Sequence, residues 1–279
     1  MTTNFNNLVI RFNNLTRLLD SRKDYLLFSR LSNERSSILK QIQEHPDFDH
    51  TQKYFLLPKI KPDIYVSSSI AIVGNSVTLL NHNYGTEIDN HTDVIRFNYA
   101  HTKGYESYSG SKTTIYVAGY PAFLGGKPKA HPVIDNMDYQ YYQKLKSSQI
   151  VVYYRGDNVF KQCKEMAVQV KKNNNQVFYF NLDDQTHYNN VLKSKEIDVL
   201  KAHLQSGSLL MMLMVDLGLK PNLYGFDLKY CDDNFYYYWD LKHKKCLQLS
   251  IHHNYDDEFF IPNKLHQLGL INIKTIHKS

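Results

Sequence analysis

This chain has no apolar stretch long enough to span a bilayer and no segment resembling a signal-peptide core. Met1 to Lys23 is polar and Asn-rich, broken only by short apolar groups such as Leu8-Val9-Ile10, so a soluble or only peripherally attached protein is expected. Cysteine is scarce: Cys163, Cys231 and Cys246 form no regular framework and leave one over, which argues against a disulfide scaffold. Zinc-ribbon spacing, an aromatic RNA-reading signature, internal repeats and true low complexity are all missing. There are no long blocks of one charge either. The formal charge of +6 is spread along 279 residues, which suits an anionic ligand or a membrane surface and gives no reason to expect a nucleic-acid partner.

The chain is long enough for a substantial α/β core. Residues 5 to 45 carry Leu8, Phe12, Leu15, Leu18-Leu19, Tyr25-Leu26-Leu27, Leu31 and Ile38-Leu39 among polar residues, a spacing that predicts two amphipathic helices. These helices could pack on the core, meet a partner or touch a membrane. The Pro58 to Pro62 region is read as a connector. Beyond it, strands are expected at 70–73, 93–97, 114–118, 150–154, 177–181, 222–225 and 271–276, with helices at 159–172, 207–217 and 259–267. This alternation predicts a mostly parallel, doubly wound sheet flanked by helices. The expected organisation is a helical extension over residues 1–60 and one α/β domain over 61–279.

Ser69-Ile70-Ala71-Ile72-Val73-Gly74-Asn75-Ser76 reads as a buried strand breaking into a tight turn, and the next strand ends at Asn98. Open α/β sheets bind nucleotides at such carboxyl ends. Asn75 and Asn98 could bring two carboxamides to one polar ligand, each giving and taking hydrogen bonds. Singly, each is equally a turn or loop residue. Leu204-Gln205-Ser206-Gly207-Ser208 precedes an apolar run ending at Gly218. Ser206 is placed as the N-cap of a helix whose first turn offers N–H groups and a positive dipole end. An ordinary capped core helix fits the same residues. Tyr236-Tyr237-Tyr238-Trp239-Asp240 is an aromatic run closing on an acid, with Trp239 read as part of a buried strand or lid. His253 and Asp257 would share a helical face, which opens a metal reading, but no other ligand spacing joins them. Asp183-Asp184 and Asp232-Asp233 are read as solvated loop acids.

Taken together, the stretch from about Ile70 to Ile271 resembles the animal-type sialyltransferase family. Its long motif is matched by Ala71, Val73 to Ser76, Leu79, Tyr84-Gly85, Ile88-Asp89, His91, Asp93-Val94, Arg96, Asn98, Ala100, Gly104 to Glu106 and Gly110 to Thr114. The short motif is matched by Ser206-Gly207 through Tyr224-Gly225-Phe226, and the third by the aromatic run above. The very short motif is matched by His253, Glu258 and the Leu265-His266-Gln267-Leu268-Gly269-Leu270 tail. The resemblance implies a variant GT-A, Rossmann-like fold and inverting transfer of sialic acid from CMP-sialic acid to a sugar hydroxyl of a glycan or glycolipid. It further implies no divalent metal, and residues 61–279 as the catalytic domain.

By the same resemblance His253 is the general base and Glu258 its structural or electrostatic companion. Asn75, Ser76 and Asn98 hold CMP, Ser206 and Gly207 its nucleoside side, and Tyr237 the phosphate. Imidazole suits the role of base because its ordinary pKa, about 6.5, leaves it neutral near pH 7. Five positions, in three places, depart from the family pattern. Leu204-Gln205 replaces a Pro-Ser pair, Tyr237 replaces a His, and Ile70 and Gly218 stand where the family has a bridged cysteine pair. The missing bridge points to a reducing compartment such as the cytoplasm. Transfer of another CMP-activated acidic sugar such as Kdo, or glycan binding without catalysis, are the alternatives.

Overall fold

In a computed structural model the described residues are 2–20, 25–98, 100–124, 145, 148–171, 175–182, 188–189, 192–193, 195–197, 204–226, 238–239 and 255–274. The chain starts with two helices, α1 (Thr3–Asp20) and α2 (Tyr25–Gln43). Phe5, Phe12, Leu15 and Leu19 fall on one face of α1, and Ile38, Leu39 and Ile42 on one face of α2; all are buried. They lie in the same apolar cluster as Ile72, Ile95, Val117 and Leu213.

The Pro58 to Pro62 segment expected to be a connector carries a short strand, β2 (Ile60–Lys61), and is flanked by two more, β1 (Phe55–Leu57) and β3 (Ile64–Val66). Pro58 and Pro62 sit outside them, where a missing N–H breaks no ladder, and Lys59 turns the chain with a φ of 63°. β1 pairs antiparallel with β3 as a separate ribbon. β2 pairs antiparallel with β8 (Gln176–Asn181) and closes one edge of the main sheet.

That sheet also contains β4 (Ile70–Val73), β5 (Asp93–Phe97), β6 (Ile115–Gly119), β7 (Gln149–Tyr154), β9 (Asn222–Tyr224) and β10 (Asn272–Ile273). Its order is β10-β9-β4-β5-β6-β7-β8-β2, and every pairing except β2 with β8 is parallel. β4, β5 and β6 are buried at every position, as parallel strands covered on both faces must be. One face packs Ile70, Ile72, Ile95, Ile115 and Val151 with the N-terminal helices. The opposite face packs Tyr116, Ala118, Ile150 and Val152 with Cys163, Ala167 and Val170, which lie on the helix Asp157–Val170. The result is the doubly wound α/β fold expected.

Strand order reverses at β4: β5 to β8 lie on one side, β9 and β10 on the other. The helix Ser206–Asp216, the donor helix hereafter, precedes β9 and is buried from Ser208 to Asp216. It ends in a glycine turn. Gly218 N–H donates to Val215 O at 2.9 Å and Leu219 N–H to Met214 O at 2.9 Å, with Gly218 at φ 75°. A Cβ on Gly218 would lie 2.3 Å from Leu39 Cδ2, so α2 packs directly on this turn. Beside it Arg35 makes a two-pronged pair with Asp216, at 2.9 and 3.2 Å, both side chains being almost wholly buried.

Candidate functional site

A strand-order reversal leaves a crevice outside the carboxyl ends of the flanking strands, because the connections leave in opposite directions. Here that crevice is bordered by Gly74-Asn75-Ser76 after β4 and Gly225-Phe226 after β9. The two turns are bonded to each other: Gly74 N–H donates to Tyr224 O at 2.7 Å and Ser76 N–H to Gly225 O at 3.2 Å. A Cβ on Gly74 would lie 2.3 Å from the Gly225 carbonyl oxygen, so only glycine permits this approach.

Asn75 spans the gap to the neighbouring strand. Its Nδ2 donates to Phe97 O at 3.4 Å, and its backbone carbonyl accepts from Tyr238 N–H at 3.1 Å. Its buried Oδ1 has no partner among the described residues. Leaving such an atom unbonded costs about 1–3 kcal/mol, which a ligand N–H or O–H would offset. The Ser76 hydroxyl is turned inward and accepts from Thr78 N–H at 3.3 Å, capping the 3-10 turn Val77–Asn81.

Asn98 follows β5 in the left-handed region, at φ 48°, which asparagine tolerates better than most residues. Its N–H bonds Val117 O at 3.0 Å, while its Oδ1 accepts from Gly119 N–H at 2.8 Å and from the Tyr153 hydroxyl at 3.5 Å. The two asparagines are thus brought together at the end of β5, where Asn75 reaches Phe97 O beside Asn98.

Tyr153, at the end of β7, was not singled out from sequence. Besides Asn98, its hydroxyl is hydrogen-bonded to the Ser206 side chain, so it links the β5 turn to the donor helix. Burial raises its pKa above the ordinary tyrosine value, which keeps the phenol protonated and able to donate. A Cβ on Gly119 would lie 2.5 Å from that oxygen; the glycine makes room for it. The signal available in the sequence was its position, at the carboxyl end of a strand in the same sheet.

The donor helix begins at Ser206, with Gln205 rather than Ser206 as the N-cap, and the Gln205 side chain makes no capping bond. The cap comes from another helix. Glu258, buried in the first turn of Tyr255–Gln267, accepts hydrogen bonds from Gln205 N–H and from the Ser208 hydroxyl. Its carboxylate therefore already complements the positive end of the donor helix. What Ser206 and Gly207 offer beside it suits an uncharged polar group better than a second anion.

Tyr238 and Trp239, the described part of the aromatic run, sit on the Asn75 side of the crevice. The Tyr238 ring is buried edge-on to Tyr105 and its hydroxyl donates to His101 O. Trp239 is half-buried, and its carbonyl accepts from the Tyr105 hydroxyl at 3.4 Å. His253 and Tyr237 lie outside the described residues, as do Asp183, Asp184, Asp232, Asp233, Cys231 and Cys246. Cys163 is free and buried, and burial pushes its thiol up to about 11, so it stays protonated and unreactive. Among the described residues no three His, Cys, Asp or Glu are grouped to hold a metal ion, and no helix is long and apolar enough to cross a membrane.

A family model described as glycosyltransferase family 29 (sialyltransferase) matches residues 23–270. The alpha-N-acetylgalactosaminide alpha-2,6-sialyltransferase 1 of Homo sapiens is 25% identical over 253 residues, covering 80% of this chain and 40% of that protein. A beta-1,6-galactosyltransferase of Arabidopsis thaliana is 57% identical over 47 residues, covering 17% of this chain and 12% of that one. The CMP-N-acetylneuraminate-beta-galactosamide-alpha-2,3-sialyltransferase 1 of Gallus gallus is 57% identical over 51 residues, 18% and 15% of the two chains. The chain thus spans less than half the length of these relatives. A crystal structure of a mammalian sialyltransferase overlays with a TM-score of 0.48 at 17% identity, covering 75% of this chain and 69% of that one.

Proposed function

Because the chain belongs to glycosyltransferase family 29 (sialyltransferase), we propose that it moves sialic acid from CMP-sialic acid to a sugar hydroxyl of a glycan or glycolipid. The observation that carries the donor half of this reading is the Asn75 Oδ1, buried without a partner among the described residues at the strand-order reversal between the glycine turn and the start of the donor helix. A nucleotide seated there offers N–H and O–H donors to that oxygen. In this reading its nucleoside lies toward Ser206 and Gly207, where Glu258 already supplies a carboxylate, and its phosphate lies away from that carboxylate; Tyr237 is proposed as a phosphate donor on the motif match alone.

In the reaction the acceptor oxygen attacks the anomeric carbon from the face opposite CMP, and His253 takes the proton. The glycosidic bond to CMP breaks, the electron pair leaves with the phosphate, and the anomeric configuration inverts without a metal. Donors fixed near that phosphate act more strongly in the transition state than in the ground state, because negative charge grows there as the bond breaks. His253→Ala should lower turnover about 10²-fold or more while leaving CMP affinity in place. Unchanged turnover in a folded variant removes His253 from the role of base.

Calorimetric titration with CMP, CMP-sialic acid and CMP-Kdo, in chelator, tests the donor site. Binding of the CMP ligands supports it; folded protein that ignores CMP overturns it. The short match to a plant galactosyltransferase makes a galactosyl donor the second reading. Preference for UDP-galactose in the same titration would select it.

A further inference from the structure

We propose that Phe226 is a steric gauge that sets the distance between the two turns of the donor site, a role that rests on the donor reading above. The base of this residue belongs to the first turn. Tyr224 O and Gly225 O, just before it, accept from Gly74 N–H at 2.7 Å and Ser76 N–H at 3.2 Å. Gly225 takes a φ of 69°, and a Cβ there would meet Leu79 Cγ at 2.9 Å, so the chain has little freedom at the root of the Phe226 side chain. The tip reaches the second turn. A Cβ on Gly207 would lie 2.6 Å from Phe226 Cε1 and 3.2 Å from its Cζ, and the nearest side-chain atoms to that point all belong to the ring. A Cβ on Gly74 would meet the same ring at 3.2 Å, and Phe97 supports it edge-on at 6.1 Å between centroids.

One aromatic ring is thus wedged between the glycine that opens the first turn and the glycine that opens the donor helix. The ring is partly buried, and its place is set by its constrained root at Gly225 and by its contacts with Gly74 and Phe97. The two glycines differ in what confines them. At Gly74 the nearest obstacle is the Gly225 backbone oxygen, which cannot yield; at Gly207 it is the edge of a side-chain ring. Phe226 touches no reacting atom in this account and is a positioning residue.

The experiment is a suppressor pair read by CMP titration and by thermal melting. Gly207→Ala should weaken CMP binding about 10-fold or more and lower Tm, although alanine is otherwise the better residue within a helix. Phe226→Leu removes the obstructing ring edge, so the Gly207→Ala/Phe226→Leu double variant should recover the CMP affinity and the Tm of Phe226→Leu alone. Gly74→Ala should not be rescued by Phe226→Leu. Equal losses in the single and double Gly207 variants, or rescue of Gly74→Ala, overturn the gauge. If wild-type protein melts cooperatively and does not bind CMP, the donor reading fails; the steric relation is then decided by Tm alone, with suppression supporting it and additive losses rejecting it.

Discussion

The two ends of the parallel sheet are built from the same kinds of residue and use them in opposite ways. At the amino end many polar groups are tied to one another, although the buried Thr113 Oγ1 and Gln149 Oε1 have no partner among the described residues. Asp93, which opens β5 and is fully buried, accepts from Ser67 N–H at 2.7 Å, Thr114 Oγ1 at 3.1 Å and Lys53 Nζ at 2.7 Å. Asp89 accepts from Ser111 N–H, Ser111 Oγ and Lys112 N–H at 2.9 to 3.0 Å. His91 Nδ1–H donates to Glu87 O at 2.9 Å and its Nε2 accepts from Asn222 Nδ2 at 2.7 Å, while Asn222 Oδ1 accepts from Asn272. At the carboxyl end glycines bring backbones into contact, Asn98 sits in the left-handed region, and Asn75 Oδ1 is left without a donor. Satisfied polar groups hold the sheet; an unsatisfied one beside the crevice, such as Asn75 Oδ1, is what a ligand can use. The long motif contains both, so matching it does not by itself mark a residue as ligand-binding.

Disabling the amino end should cost stability and leave binding intact. Asp93→Ala strands a buried N–H and a partly buried ammonium, and should destabilise the fold by about 3 kcal/mol or more in denaturant titration. CMP affinity per folded molecule should not change. The carboxyl end should respond the other way. Asn75→Ala removes an unsatisfied oxygen and one long hydrogen bond, so stability should move by less than about 1 kcal/mol while CMP affinity falls about tenfold, equivalent to about 1.4 kcal/mol. Equal stability losses in the two variants would erase the contrast.

A smaller, pH-dependent effect tests a satisfied group beside the carboxyl end, where Glu87 meets Tyr224, the last residue of β9, and Lys274. Burial raises the Glu87 pKa, but hydrogen bonds from the Tyr224 hydroxyl and Lys274, with the Lys274 charge, outweigh it and leave the carboxyl below its ordinary value. A depressed carboxyl stabilises the fold above its unfolded pKa of about 4.3 and loses that contribution as pH falls through the folded value. The stability difference between wild type and Glu87→Gln should therefore shrink on acidification below about pH 4. A difference constant with pH would remove Glu87 from this role.

Much of this was legible in the sequence for a physical reason. Runs such as Ile70 to Val73 and Ile150 to Tyr154, set between helical stretches, can only be strands covered on both faces. The turn after β4 was legible because Gly-Asn-Ser combines a position without Cβ and a capping hydroxyl. The strands around Pro58 and Pro62 were not, since two or three residues carry no measurable periodicity and the prolines argue for a connector. The capping carboxylate of Glu258 lies 50 residues from its partner Ser208, and Tyr153 lies 55 from Asn98. No local pattern announces such pairings; only the strand order brings them together.

The ion pair between Arg35 and Asp216 joins residues 181 apart in the chain. Its consequence concerns where the polypeptide can be divided. A chain begun at Ile60 would keep every strand of the main sheet, yet the buried Asp216 would lose its two-pronged guanidinium and the notch at Gly218 would be emptied of Leu39. The first forty residues are therefore a built-in subunit for the donor helix, and a protease nick between the two would be expected to cost the larger piece its independence.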